Sequence, residues 1–124
     1  MNGNTLERAQ GVCPIGWHIP SDCEWMYLEG ILGMSVYQQQ RDNFRSEGNV
    51  GNKLFAGGST GFNGLYGGYR FGSFSQRGEF TQWWSSTPYF PSGAMMRSFL
   101  LNNSASYRSA SGTAAAGAVR CLKD

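Results

Sequence analysis

The sequence predicts an α+β domain with an antiparallel sheet, and three observations carry that prediction. One strong, capped helix signal stands near residue 21. Short strand-like runs fill the second half of the chain, and helices before strands is the order of an α+β domain. Glycine accounts for 18 of the 124 residues, which implies frequent turns. Aromatic residues make up 15% and charged residues only 15%, against about 25% charged in an average domain. That balance argues against a helical bundle. The length suits one domain with a sizeable core.

Pro20-Ser21-Asp22-Cys23-Glu24 reads as a helix start, with Ser21 as cap and Glu24 completing a capping box. Trp25, Leu28 and Leu32 then form an apolar stripe at helical spacing, and Gly33 is the stop. A second helix is expected over Ser35–Glu47, ending before Gly48, with Gln38-Gln39-Gln40-Arg41 as its solvated face. From Gly48 the texture changes: Gly57-Gly58-Ser59-Thr60-Gly61 and Gly64-Leu65-Tyr66-Gly67-Gly68 punctuate a non-helical stretch. Strands are expected at Tyr69–Phe71, Phe80–Ser85, Met95–Leu101, Ala105–Arg108 and Ala116–Leu122. No repeat or linker divides the chain. Residues 1–11 read as a tail and 12–124 as a single domain.

Composition also excludes function classes. A net charge of +2 is too small for an electrostatic footprint on nucleic acid. No apolar run approaches the roughly 18 residues of a membrane span. The opening Met1-Asn2-Gly3-Asn4 has no signal-peptide character, so the leader of a secreted protein would lie outside this sequence. The cysteines are Cys13, Cys23 and Cys121, and His18 is the single histidine. None of the cysteines forms a CxxC pair, so no metal site or cofactor is expected. Cys13 with Cys121 would close a loop of about a hundred residues, worth up to about 4.7 kcal/mol in chain-entropy terms. Three buried free thiols are the alternative.

Four blocks then stand in order along the chain. They are Cys13-Pro14-Ile15-Gly16-Trp17-His18-Ile19-Pro20-Ser21-Asp22-Cys23-Glu24-Trp25, Gly67-Gly68-Tyr69-Arg70, Trp83-Trp84-Ser85-Ser86-Thr87 and Val119-Arg120-Cys121-Leu122-Lys123-Asp124. Together they resemble the Fibrobacter succinogenes major paralogous domain family, over nearly the whole chain. The resemblance implies a C-type lectin-like fold: two helices packed on a small twisted antiparallel sheet, with N- and C-terminal strands adjacent. It implies a secreted or cell-surface protein of Bacteroidetes or related bacteria. It also implies a Cys13–Cys121 disulfide, leaving Cys23 as an unpaired, helix-buried thiol. The same fold carries the variable proteins of diversity-generating retroelements and the formylglycine-generating enzymes.

Each candidate residue has a structural alternative. His18 has no histidine or suitably spaced cysteine beside it, so a packed structural histidine is favoured over a catalytic one. Of Trp83 and Trp84, strand alternation lets at most one face solvent. Calcium needs six to eight oxygen ligands, yet no Asp or Glu lies between Glu79 and Asp124. The EPN, QPD and WND motifs of calcium-dependent lectins are absent too, so calcium-dependent sugar binding is rejected. Formylglycine-type catalysis would rest on Cys23 alone, with no basic sequence neighbour to activate it, so no enzyme activity is expected. Arg70, Arg97, Arg108 and Arg120 are spread over the strand half, where they either meet an anionic ligand or pair with carboxylates of the helical half.

The segment 88–117 is dominated by Ser, Ala, Gly, Asn and Tyr, the mixture of adaptable binding loops. Its swap toward small and apolar residues suits a diversified surface. The expected contact residues are Tyr89, Phe90, Met95, Arg97, Phe99, Leu101, Asn103, Ser106, Tyr107 and Ser109. The expected partner is a protein or glycan on another cell, a phage or a host surface. The alternatives are an assembly module of a larger surface protein and a degenerate relative of the formylglycine-generating enzymes.

Overall fold

The computed structural model describes residues 8–89, 91–112 and 114–124. It is an α+β domain with three helices and nine strands among the described residues. The helices are α1 (Asp22–Ile31), α2 (Val36–Gln40) and α3 (Val50–Leu54). The strands are β1 (Trp17–His18), β2 (Asn43–Arg45), β3 (Tyr69–Phe71), β4 (Ser73–Ser75), β5 (Phe80–Tyr89), β6 (Gly93–Leu100), β7 (Ser106–Gly112), β8 (Ala115–Ala116) and β9 (Leu122–Lys123).

α1 starts where its sequence says. The Ser21 hydroxyl accepts from the Glu24 N–H, and the Glu24 carboxylate accepts from the Ser21 N–H, so the capping box is complete. The second helix is much shorter than Ser35–Glu47. Ser35 does cap α2, but Arg41 is already extended and Asn43 has a positive φ of 69°. The chain turns there to add β2 to the sheet, and Glu47–Asn49 forms a 3-10 turn before α3. Sheet pairing and a buried arginine, Arg45, override the local helical preference.

The principal sheet has the order β2-β7-β6-β5 and is antiparallel throughout. A three-stranded sheet runs β4-β3-β8, and β1 pairs with β9. The expected single strand over Ala116–Leu122 is divided. β8 pairs with β3, Ala118 bridges to Trp83 in parallel on the far edge of β5, and β9 pairs with β1. After leaving β7 at Gly112, the chain therefore passes across two strands to reach β5's other side. Gly117 fits there because an added Cβ would stand 2.9 Å from the Gln82 carbonyl.

Strand alternation divides the principal sheet into two faces. The inner face meets α1 and carries Arg45, Thr81, Trp83, Arg97, Phe99, Ser106 and Arg108. The outer face carries Phe44, Gln82, Trp84, Met96, Ser98, Tyr107 and Ser109. The core lies on the inner side, where Trp25, Met34, Val50, Leu54, Phe55, Trp83 and Phe99 form one buried cluster. Trp83 stacks on Trp25 at 5.7 Å and on Phe55 at 5.5 Å. Of the tryptophan pair, Trp83 is core and Trp84 is half-buried on the other face.

Candidate binding surface

A charge network between α1 and the inner face fixes the sheet. Glu29 of α1 takes both nitrogens of Arg45 at 2.7 and 2.8 Å, Arg97 Nε at 2.6 Å and the Ser106 hydroxyl at 3.0 Å. Asp22 lies between Arg97 and Arg108, which face each other across β6 and β7, and bonds them at 2.6 and 2.7 Å. Arg108 also meets Asp42 at 2.6 Å. Three arginines thus face three carboxylates. Glu29, Arg45 and Arg97 are all buried, and buried charge is tolerated only when paired in this way. Burial pushes the Asp22 and Glu29 carboxyls up. The guanidiniums of Arg108 and Arg97 at Asp22, and of Arg97 and Arg45 at Glu29, outweigh it and hold both below the ordinary carboxylate range.

Four of the expected contact residues are therefore misplaced. Met95, Arg97, Phe99 and Ser106 are buried on the inner face, where Phe99 is core and Arg97 and Ser106 belong to the charge network. On β6 the odd-numbered residues face inward, opposite to the expectation, and the sequence does not announce it because Met95-Met96 and Phe99-Leu100 are apolar at both parities. No exposed apolar patch spans Met95–Leu101; of that run only Leu101 is exposed. Phe90 lies outside the described residues.

The remaining residues divide between the two ends of the sheet. Tyr89 is exposed at the tip of the β5–β6 hairpin. Leu101, Asn103 and Tyr107 stand at the other end, with Ser109 between. Ser98 of β6 opposes Tyr107, and Gly93 opposes Tyr89, so about five residues of strand, or about 17 Å, separate the ends. At the Tyr107 end the ring of Phe44, 55% exposed, packs on Tyr107 at 4.6 Å. Leu101 and Asn102 of the β6–β7 loop also wall a cavity of about 430 Å³ with Leu65, Tyr66 and Gly58. Beside this patch, buried Ser98 Oγ, Ser109 Oγ and Gln82 Oε1 have no hydrogen-bond partner among the described residues. Phe44 and Asn102 were missed from sequence: Phe44 lay within the expected second helix, and nothing local marks an aromatic as a sheet-edge residue.

The other candidates have structural surroundings. His18 is buried, with Nδ1 2.6 Å from Asp124 and Nε2 3.1 Å from Glu24. Burial opposes its charge, but the hydrogen bonds to Asp124 and Glu24 and their negative charges prevail and raise its pKa. Cys13 and Cys121 form a disulfide. Cys23 is half-buried, not enclosed, and borders a cavity of about 180 Å³ with Met26, Tyr27, Gln39 and Gln40, none of which is a base or a cation. Arg120 lies over the Phe62 ring at 4.3 Å, and Arg70 over Phe74 at 5.6 Å. Among the described residues no three His, Cys, Asp or Glu side chains form a group that could hold a metal ion, and no helix is long and apolar enough to cross a membrane.

No curated protein and no solved structure matches the chain. The family model described as the Fibrobacter succinogenes major domain matches residues 2–123. The capping-box block, the Trp83-Trp84 strand and the disulfide-bonded ends all fall within that match, and the chain belongs to the Fibrobacter succinogenes major domain family.

Proposed function

We propose that this is a non-catalytic, calcium-independent ligand-binding domain of a secreted or cell-surface bacterial or phage-encoded protein. Its partner is a protein or glycan on another surface. It engages that partner through the Tyr107 end of the principal sheet. The observation that carries this reading is the exposed Phe44–Tyr107 ring pair, with the Leu101–Asn103 loop and its cavity at the same end of the strands, on a frame locked from behind by buried ion pairs. Rigid elements presenting aromatic, amide and small side chains are what an adaptable paratope needs. The disulfide supports an oxidising compartment. The β1–β9 pairing, the bridged ends and α1 packed on the sheet support a C-type lectin-like fold.

The chain's carboxylates support metal independence. Asp22, Glu29 and Asp42 are held by arginines, and Glu24 and Asp124 by His18; Glu79, whose carbonyl accepts from the Leu101 N–H, stands at the Tyr107 end, and with Asp42 it falls far short of the six to eight oxygen ligands of calcium. His18, with both ring nitrogens engaged, is no general base.

The test is binding of the labelled domain to a glycan array and to intact bacterial and host cells, with and without EDTA. Binding that survives EDTA and falls at least tenfold in Tyr107→Ala and Leu101→Ala, but not in Tyr37→Ala on α2, supports the reading. Absence of binding across the panels favours an assembly module. If a retroelement diversifies the segment 88–117, sequencing of sibling copies is expected to show substitutions at 89, 101, 103, 107 and 109. Codons 97, 99 and 106 stay fixed, because their side chains hold the core. Variation at Arg97 would sink the diversification idea.

A further inference from the structure

An apolar concavity lies apart from the Tyr107 end. It is a groove of about 580 Å³ between the outward face of α1 and the Arg120–Leu122 segment, within the range of small-molecule sites, about 300–1,000 Å³. Its walls are Tyr27, Leu28, Ile31, Phe62 and Leu122, with Trp25 beneath. Tyr27 is 63% and Ile31 66% exposed, so apolar side chains stand open to water along its length. The Cys13–Cys121 bond ties down the wall opposite the helix.

One cation on this groove stands apart from its acids. Glu24 lines it, yet its Oε1 faces His18 and its Oε2 accepts from the Ser21 N–H. Asp124, next along, is bonded to the other nitrogen of His18. Arg120 has no carboxylate partner among the described residues. It donates from Nη2 to the Phe62 carbonyl at 2.8 Å and rests on the Phe62 ring, leaving Nε and Nη1 unpartnered among the described residues. The buried Trp25 indole N–H also lacks an acceptor among the described residues. An apolar trough with a guanidinium that has two N–H groups to offer, and with its acids turned to His18 and the Ser21 N–H, complements an acid that carries an apolar tail.

We propose that this groove binds an amphipathic carboxylate, with its tail between Ile31, Leu28 and Phe62 and its acid on Arg120. The site is separate from the proposed sheet-end surface and does not depend on it.

The experiment is isothermal titration of the whole chain with decanoate below its micelle concentration, and with decan-1-ol as the neutral counterpart. Saturable one-to-one binding of decanoate is expected, with decanol at least fivefold weaker. Arg120→Gln is expected to weaken decanoate at least fivefold. Ile31→Glu, at an exposed position that the fold tolerates, is expected to abolish binding with an unchanged circular-dichroism spectrum. Phe44→Ala and Tyr107→Ala leave it unaltered, so failure of the sheet-end reading does not touch this one. The proposal is overturned by the absence of saturable decanoate binding, by full binding in Ile31→Glu, or by loss in Tyr107→Ala. Sedimentation showing a dimer that Ile31→Glu converts to monomer would equally overturn it, since the groove would then be covered by a second copy.

Discussion

Glu29 concentrates more of the structure than any other side chain. It has two arginines and a serine hydroxyl on its two oxygens, all shielded from water. Removing the charge leaves the buried Arg45 without a counter-ion and Arg97 with Asp22 alone, so Glu29→Gln is expected to destabilise the fold by about 3–5 kcal/mol, measured by urea denaturation. Ser21→Ala, which deletes only a cap, is expected to cost about 1 kcal/mol. The two kinds of titrating group act in opposite directions. Asp22 and Glu29 have folded values below their usual 3.8 and 4.5. Their stabilisation is present above those usual values and is lost as pH falls below them toward the folded ones. His18 is raised above 6.5. Its contribution is full below that value and is lost as pH rises through the folded one. Thermal melts are expected to show an acid limb that Glu29→Gln flattens and a shallow alkaline decline that His18→Gln removes. At this scale the capping box was legible because Ser21 and Glu24 interact three residues apart. The burial of Arg97 was not: an arginine on a strand reads as outward-facing, and its partners lie 75 and 68 residues away at Asp22 and Glu29.

Among the elements, β6 is the most informative. It is the second-from-edge strand of the principal sheet and has neighbours on both sides, so its central residues are buried whichever way they point. Its runs Met95-Met96 and Phe99-Leu100 carry no polar–apolar alternation, and the inward set could not be chosen from sequence. The inner face predicts a sharp contrast two residues apart. Phe99→Ala is expected to cost about 3–5 kcal/mol by opening a cavity beside Trp83 and Phe55. Leu101→Ala, at an exposed loop position, is expected to change stability by no more than about 0.5 kcal/mol. Equal losses in the two variants would overturn the burial of Phe99 in the core. The short α2 has the converse lesson. Ser35 signals a helix start correctly, but nothing in Gln38-Gln39-Gln40-Arg41 announces that β7 will claim Asn43–Arg45 for its edge.

Across the whole molecule, the disulfide joins positions 108 residues apart. In the chain-entropy picture a loop of that order contributes up to about 4.7 kcal/mol, and calorimetry under reducing conditions is expected to show a substantially lower Tm with the same fold. The strand-rich second half and the order of the elements were legible from composition and turn residues. The division of the last strand was not, because its three short pairings are each set by a distant partner. That division has a consequence for how the chain is made. Residues 115–124 supply one pairing partner each to β3, β5 and β1, strands that leave the ribosome long before them. Until that stretch emerges, three edges with unpaired backbone groups are open at once, the condition that templates aggregation between nascent chains. A stop at residue 114 is therefore expected to yield insoluble protein, although helix α1 and the β5–β6–β7 meander are intact in its sequence.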